Sequence, residues 1–213
     1  MALGLLPAAW AGPLSATPIN IETATTTTGN QAYSGAGIKF SVDTKITVYS
    51  LGIYDSGLDG ISAPPGSPLS VFLMTDTGVT QASITFDNTS TGTLSGGYRY
   101  KSISPLILTP GQYVLAGYGW SGSDLEHNCF ISGTCSVFNG GGYLTFINAV
   151  FGGGSDAPGT LPANGAAPPG NYFSAASMQY DVWVPEPASL TLFGAGLLSL
   201  GWVRRRRKAG TRF

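Results

Sequence analysis

Charged residues are scarce in this 213-residue chain: they make up 10% of it, against roughly 25% in an average soluble domain. The few basic groups are also segregated, because residues 204–208 hold five of the ten. Residues 1–184 carry ten acidic and four basic side chains, which leaves a net charge of −6. A nucleic-acid-binding surface needs basic groups to meet the phosphates. We therefore expect no nucleic-acid partner.

Histidine and cysteine are equally scarce, with one histidine and two cysteines. Catalytic zinc normally needs three protein ligands at defined spacings, and no such set is visible. A hydrolytic triad would have to use His127, and no Gly-x-Ser-x-Gly turn presents a serine to it. His127 stands in Asp124-Leu125-Glu126-His127-Asn128, which we interpret as a solvated loop tip. We expect no catalytic residues, no enzyme activity and no bound zinc.

A sustained helical period is missing before residue 188, and the 31 glycines and 14 prolines disfavour helix interiors. The apolar fraction of 43% is nevertheless too high for a disordered chain. The chain contains short apolar or alternating runs between turn residues, which are typical of strands. We predict eight strands, at residues 38–42, 45–54, 69–75, 79–86, 98–103, 112–120, 143–150 and 176–184.

This pattern predicts one all-β domain over residues 17–184, an antiparallel and jelly-roll-like β-sandwich. In residues 176–184 apolar and polar side chains alternate, which indicates one buried and one solvated face. In residues 45–54 the apolar phase changes between Val48 and Leu51. Such a change predicts a β-bulge or burial on both faces.

The C-terminal end has the composition of a membrane anchor. Pro185, Glu186 and Pro187 precede sixteen uncharged residues, 188–203, and these are followed by the basic cluster Arg204, Arg205, Arg206, Arg207 and Lys208. As a helix the uncharged segment would span about 24 Å, slightly less than the ~30 Å hydrocarbon core of a bilayer. The basic cluster would stay on the cytoplasmic side. We predict a single transmembrane helix, with a buried core helix and a basic tail as the alternative.

These three parts, in this order at the end of the chain, resemble the PEP-CTERM sorting signal of Gram-negative bacteria. The resemblance covers residues 184–208 and implies transport across the inner membrane, retention there by the helix, and processing by an exosortase near Pro185-Glu186-Pro187. Such proteins accompany exopolysaccharide and biofilm production, so the resemblance implies the cell surface or extracellular matrix as the destination. The same segment is also labelled an ice-binding protein C-terminal domain, which describes the tail and not an activity.

The N-terminal end resembles part of a secretory signal peptide. Residues 3–9 are a short apolar run, followed by candidate cleavage sites at Ala9-Trp10-Ala11 and Leu14-Ser15-Ala16. No basic residue precedes the run, so we interpret residues 1–16 as part of a longer signal peptide. A disordered N-terminus on a cytosolic protein is the alternative, and it conflicts with the C-terminal segment.

Two cysteines, Cys129 and Cys135, are six residues apart. In an oxidising compartment this spacing permits a disulfide that closes a small loop. Chain entropy gives such a bridge only ~2–3 kcal/mol, so it would fix a loop and not hold the domain together. Free thiols are the alternative.

The segment Asp55-Ser56-Gly57-Leu58-Asp59-Gly60 resembles the start of a calcium-binding loop. Asp55 and Asp59 offer hard oxygen ligands on a turn that glycine permits. The third acid and the closing glutamate of such a loop are missing. A turn capped by aspartate and glycine explains the same residues without metal, so we expect no cofactor and keep calcium as the alternative.

Aromatic residues beside glycine-rich loops are candidates for a ligand-binding face. Exposed aromatic rings provide flat apolar platforms for sugars when polar groups lie nearby. Trp120, Tyr172 and Phe173 lie beside such loops, so we expect them to be the exposed ones. They would carry a carbohydrate-binding function.

The body also resembles a β-sandwich module of secreted and anchored bacterial proteins over residues 35–120. The resemblance rests on Lys39-Phe40-x-Val42, Ile46-Thr47-Val48, Leu51-Gly52-Ile53-Tyr54-Asp55, Tyr98-Arg99-Tyr100 and Leu108-Thr109-Pro110-Gly111-Gln112-Tyr113-Val114. That module has no settled activity, so the resemblance supports the fold more than the function. We expect a non-enzymatic envelope or matrix protein whose partners are an exosortase, the inner membrane and exopolysaccharide. The alternatives are a carbohydrate-binding sandwich and a glycan hydrolase, which would need two facing carboxylates in a cleft.

Overall fold

The computed structural model describes residues 19–122, 124–129, 137–152, 156–166 and 173–182. Fifteen strands are assigned within these ranges. They are β1 (Ile19–Asn20), β2 (Glu22–Thr23), β3 (Ala36–Val42), β4 (Ile46–Tyr54), β5 (Leu69–Thr75), β6 (Thr80–Phe86), β7 (Thr93–Ser95), β8 (Tyr98–Leu108), β9 (Gly111–Tyr118), β10 (His127–Asn128), β11 (Val137–Phe138), β12 (Leu144–Phe151), β13 (Asn164–Ala166), β14 (Phe173–Ser174) and β15 (Ala176–Val182). Every pairing among them is antiparallel.

Two sheets contain all the long strands. One has the order β1-β15-β4-β8-β7 and the other the order β13-β12-β3-β9-β5-β6. Eight of these strands can be numbered one to eight in chain order: β1, β3, β4, β5, β6, β8, β9 and β15. With this numbering, neighbouring strands follow the order 1-8-3-6 in the first sheet and 2-7-4-5 in the second. This is the strand order of a jelly roll, in which two Greek keys fold over one another. The predicted all-β, antiparallel sandwich is therefore confirmed.

The eight predicted strands are all present, and the largest difference is in β8, which continues to Leu108. The bulge predicted in β4 is confirmed, because the register against both β8 and β15 shifts at Tyr49. One extra residue brings Leu51 and Ile53 back into phase with Val48, and all three are fully buried.

The hydrophobic core draws buried side chains from both sheets. Phe40 on β3, Leu73 on β5 and Leu115 on β9 come from one sheet, while Ile53 on β4 and Met178 on β15 come from the other. Each of the five is fully buried. The two sheets therefore share one core, as the chain length permits.

Residues 20–31, which we call the N-terminal strap, bond to several elements of the domain in turn. The backbone N–H of Ile21 donates to Met178 on β15, and that of Ala24 donates to Gly96 in the β7–β8 turn. Further along, the carbonyl of Thr27 accepts from the loop after β4, and Asn30 donates to the carbonyl of Glu126. The threonine-rich stretch at residues 23–28 is thus hydrogen-bonded to the domain at successive points.

No helix within the described ranges is long and apolar enough to cross a membrane. The predicted transmembrane helix, residues 188–203, lies outside those ranges. The predicted signal peptide, residues 1–16, also lies outside them. Both segments stay predictions from the sequence.

Candidate functional site

The residues of the predicted sorting signal lie outside the described part of the chain. They are Pro185, Glu186 and Pro187 and the basic cluster Arg204, Arg205, Arg206, Arg207 and Lys208. The last described residue before them is Val182, at the end of β15. The roles of these residues therefore rest on the sequence.

The solvated loop tip predicted around His127 is wrong. Asp124 and His127 are each 3% exposed, and Glu126 is 0% exposed. The strap lies over this segment: the backbone N–H of Asn30 donates to the carbonyl of Glu126 at 3.0 Å, and Nδ1 of His127 lies 2.9 Å from the carbonyl oxygen of Thr28. The chain's only histidine therefore holds the strap and is shielded from solvent.

Cys129, which directly follows β10, is buried and disulfide-bonded. Its predicted partner, Cys135, lies outside the described ranges, so the pairing itself stays a prediction. β10, which directly precedes Cys129, pairs with β14, so this covalent bond lies beside that small ladder.

The candidate calcium ligand Asp55 is engaged by protein groups. Its Oδ2 accepts from Nε of Arg99 at 2.6 Å, and its Oδ1 accepts from the N–H of Gly60 at 3.2 Å. Asp55 is fully buried, whereas Asp59 is exposed. Within the described ranges no three His, Cys, Asp or Glu side chains are grouped to hold a metal ion. The geometry is that of the capped turn.

The expected exposure of Trp120 and Phe173 is wrong, since they are 8% and 4% exposed. Trp120 belongs to the main core, and the ring of Phe173 lies 5.5 Å from that of Phe151 and 6.3 Å from that of Tyr33. Burying a large aromatic ring is strongly favourable, so a glycine-rich neighbourhood in the sequence does not make the ring exposed. The third candidate, Tyr172, lies outside the described ranges.

Three tyrosines that the sequence analysis did not select form a row on β4 and β8. The ring centroids of Tyr54 and Tyr98 are 5.8 Å apart, and those of Tyr98 and Tyr100 are 6.3 Å apart. The Tyr100 ring lies against Gly52, where an added Cβ would come within 2.5 Å of it. The Tyr100 hydroxyl donates to Oγ of Ser177 at 2.8 Å. We call Tyr54, Tyr98 and Tyr100 the tyrosine row.

The strap covers the tyrosine row and is hydrogen-bonded to it. The Tyr54 hydroxyl donates to the carbonyl of Thr26 at 3.0 Å, and the Tyr98 hydroxyl donates to Oε2 of Glu22 at 2.8 Å. Oγ of Ser177 accepts from the backbone N–H of Glu22 at 3.2 Å. Hydroxyl groups of the five-stranded sheet therefore fix the strap in place.

Two carboxyl groups are buried where the strap meets the domain. Glu22 on the strap and Glu126 beneath it are both 0% exposed. Burial raises the pKa of Glu22 to about 8, and the hydrogen bond from Tyr98 offsets part of this rise. Burial raises the pKa of Glu126 to about 9, and neither of its oxygens has a hydrogen-bond partner among the described residues. Burial therefore favours the protonated form of both carboxyl groups.

A shallow groove of about 540 Å³ runs along the strap. It is lined by Thr23, Ala24, Thr25, Thr26, Thr27, Leu58, Gly96 and Gly97, so its walls offer hydroxyl groups and no charged side chain. Leu58 has a φ of 61°, a left-handed conformation that costs a non-glycine residue on the order of 1–3 kcal/mol. Nη2 of Arg99 holds the Leu58 carbonyl at 3.3 Å. Leu58, on one wall of the groove, is therefore held in its strained conformation with the help of Arg99, which also forms the ion pair with Asp55.

Comparison with known proteins identifies the C-terminal end. The family model described as the PEP-CTERM protein-sorting motif matches residues 184–207. No curated protein matches the chain, and the resemblance of residues 35–120 to a secreted sandwich module stays a prediction. The matched segment contains Pro185-Glu186-Pro187, the uncharged stretch and the four arginines that follow it. The chain carries a PEP-CTERM sorting motif, which marks it as an exosortase substrate sorted to the cell envelope.

Proposed function

We propose that this protein is a non-enzymatic component of the cell surface or extracellular matrix of a Gram-negative bacterium, associated with exopolysaccharide or biofilm. The observation that carries the proposal is the sorting motif at residues 184–207. The uncharged segment, residues 188–203, holds the exported chain in the inner membrane with the basic cluster on the cytoplasmic side. Exosortase processing near Pro185-Glu186-Pro187 then releases the sandwich to its destination.

The chemistry of the domain supports a structural role. His127 and Glu126 are buried beneath the strap, and the side chain of Glu22, on the strap itself, is buried against Tyr98. A glycan hydrolase needs two carboxyl groups flanking a bound sugar, and side chains at 0% exposure do not meet one. The disulfide-bonded Cys129 also suits an oxidising, extracytoplasmic compartment.

Processing is tested in a Gram-negative host that supplies an exosortase, with an exosortase-deficient strain for comparison. The full chain is expressed as wild type, with alanine at Pro185, Glu186 and Pro187, or without residues 204–208. We expect only the wild type to lose its C-terminal segment by intact mass and to leave the inner-membrane fraction. Pro65→Ala, in an exposed loop, is the matched control. Identical processing of all forms, or processing without the exosortase, would refute the proposed sorting.

Carbohydrate binding is the second candidate function, and the groove along the strap favours it. Hydroxyl and backbone groups beside small apolar side chains match a neutral sugar, which has many hydroxyls and no charge. The processed protein is screened on a glycan array with and without calcium. We expect Thr25→Val and Thr27→Val to weaken binding, and Thr80→Val on the exposed strand β6 to leave it unchanged. Absence of binding to every glycan would eliminate this candidate and leave the structural role.

A further inference from the structure

The two large sheets end in strands of unequal length. The end strands β1, β7 and β13 have two or three residues each, whereas the end strand β6 has seven. A short edge strand offers few unpaired backbone groups to another chain, which is one way in which proteins prevent edge-to-edge association. Among these four end strands, β6 is therefore the one most open to a further strand.

The pairing of β6 with β5 shows which of its backbone groups point away from the sheet. The N–H of Thr75, on β5, donates to the carbonyl of Val79 at 2.9 Å. Backbone groups alternate in direction along a strand, so the register makes Ala82 and Ile84 the residues of β6 that bond to β5. The residues that alternate with them direct their N–H and C=O groups away from the sheet.

These outward groups belong to Ser83 and Thr85, whose side chains are also exposed. A contact from the other sheet agrees with this direction, because Nζ of Lys101, on β8, donates to the Thr85 carbonyl at 2.5 Å. No other strand of the described ranges pairs with β6. The outer edge of β6 therefore presents backbone donors and acceptors to solvent.

Features that usually protect a long edge strand are missing from β6. Such edges carry charged side chains, proline or bulges, but residues 77–86 contain no charged residue and no proline. One bulge, at Gln81, lies close to the hairpin turn and leaves residues 82–86 in regular register. By contrast, β8 contains Pro105 in the segment that extends past its partner β7. The edge of β6 is thus able to accept another strand.

A second copy of this chain is the partner that fits this edge. Two β6 strands related by a twofold axis run antiparallel, so the outward groups of each can bond to those of the other. An edge made only of uncharged residues meets no like charge when it faces itself. A cleft of about 450 Å³ beside β6 continues the neutral surface, and it is lined by Gln81, Ala82, Ser83, Ile84, Ser102, Ile103, Ser104, Pro105 and Leu106.

We propose that β6 is a self-association edge, at which two copies of this protein pair antiparallel through Ser83 and Thr85 and join their six-stranded sheets into one continuous sheet. The contact is a single pair of strands, which is smaller than the interface of a permanent dimer. Association is therefore reversible and depends on concentration. It requires the sheet edge and not the sorting motif, so it goes beyond the proposed structural role without resting on it.

Sedimentation equilibrium of the full chain, in a detergent matched in density to the buffer, measures this association. We expect the protein mass to rise from one copy towards two as the concentration increases. Hydrogen exchange read by NMR locates the contact: the amides of Ser83 and Thr85 should exchange about tenfold more slowly in the dimer, whereas the amide of Gly66, in an exposed loop, should not change. The mass of one copy at every concentration, or a dimer in which the two β6 amides stay unprotected, would overturn the proposal.

Variants at one position separate pairing through β6 from association through any other part of the chain. Ser83→Pro removes an outward N–H and no bond to β5, so it should weaken dimerisation about tenfold or more, because the pair loses one bond from each copy. Ser83→Ala keeps that N–H and is the matched control, which should dimerise like the wild type. Equal association of Ser83→Pro and Ser83→Ala would overturn the proposal.

Charged variants test the same edge should Ser83→Pro fail to fold. Ser83→Lys and Ser83→Glu each bring like charges together when the edge faces its own copy, so each alone should dimerise more weakly than the wild type. An equimolar mixture of the two places opposite charges across the contact and should restore dimerisation. Undiminished association of both single variants, or no recovery in the mixture, would contradict self-pairing at β6.

Discussion

We expect Arg99→Met to lower the free energy of unfolding by about 3 kcal/mol, because it leaves a buried carboxylate without its cation. Nε of Arg99 lies 2.6 Å from Oδ2 of Asp55, which is 0% exposed, while the Arg99 side chain is 18% exposed. A surface ion pair would be worth less than about 1 kcal/mol. Because Asp55 is fully buried, loss of this ion pair should destabilise the fold as loss of a buried pair does. The substitution also removes the bond from Nη2 to the carbonyl of Leu58.

Urea unfolding of the disulfide-intact protein at pH 7 measures this effect. The matched control is Lys39→Met, which removes a cation that forms no ion pair with any described carboxylate; we expect it to cost less than about 0.5 kcal/mol. Combining Arg99→Met with Asp55→Asn should recover about 2 kcal/mol, because the amide oxygen still accepts from Gly60 and no buried charge remains. A loss below about 1 kcal/mol in Arg99→Met, with no recovery in the double variant, would refute the reasoning.

Three further outcomes follow from the same structure. Gly52→Ala should destabilise the fold by about 2 kcal/mol through overlap with the Tyr100 ring, whereas Gly66→Ala, with open space around its Cβ, should be neutral in thermal melts. Because the folded protein keeps the proton of Glu126 to about pH 9, the free energy of unfolding should fall from pH 5 to pH 8 by up to about 1.4 kcal/mol per pH unit for this group; urea titrations should show a flatter profile for Glu126→Gln, and a wild-type stability that rises with pH would contradict this. Calcium at millimolar concentration should leave the melting temperature unchanged, because Asp55 already binds Arg99, and an increase of several degrees would restore the metal hypothesis.

Local patterns were sufficient to predict the strands and the sorting signal. An apolar residue at every second position implies a strand wherever the chain folds, so all eight predicted strands are present. The bulge at Tyr49 was also visible, because an inserted residue changes the phase of the apolar side chains. The sorting motif at residues 184–207 is read from residue types in a linear order, which requires no tertiary contact.

The same patterns misjudged which polar and aromatic residues are accessible. The segment around His127 has the composition of a solvated loop, yet residues about a hundred positions earlier in the chain cover it. Trp120 and Phe173 lie beside glycine-rich stretches of the sequence but pack into the core. Nothing in the sequence near Glu22 indicates that its side chain is buried. It is buried because the strap crosses Tyr98, which is 76 residues away.

Hydrophobic period and motif order are properties of neighbouring residues, so the all-β class, the positions of the strands and the envelope-sorting motif can be recognised without knowledge of the fold. Which side chains face solvent, in contrast, is set by tertiary contacts. Exposure depends on what a distant segment covers, and the strap buries two carboxyl groups, the only histidine and the tyrosine row through contacts that no local pattern encodes.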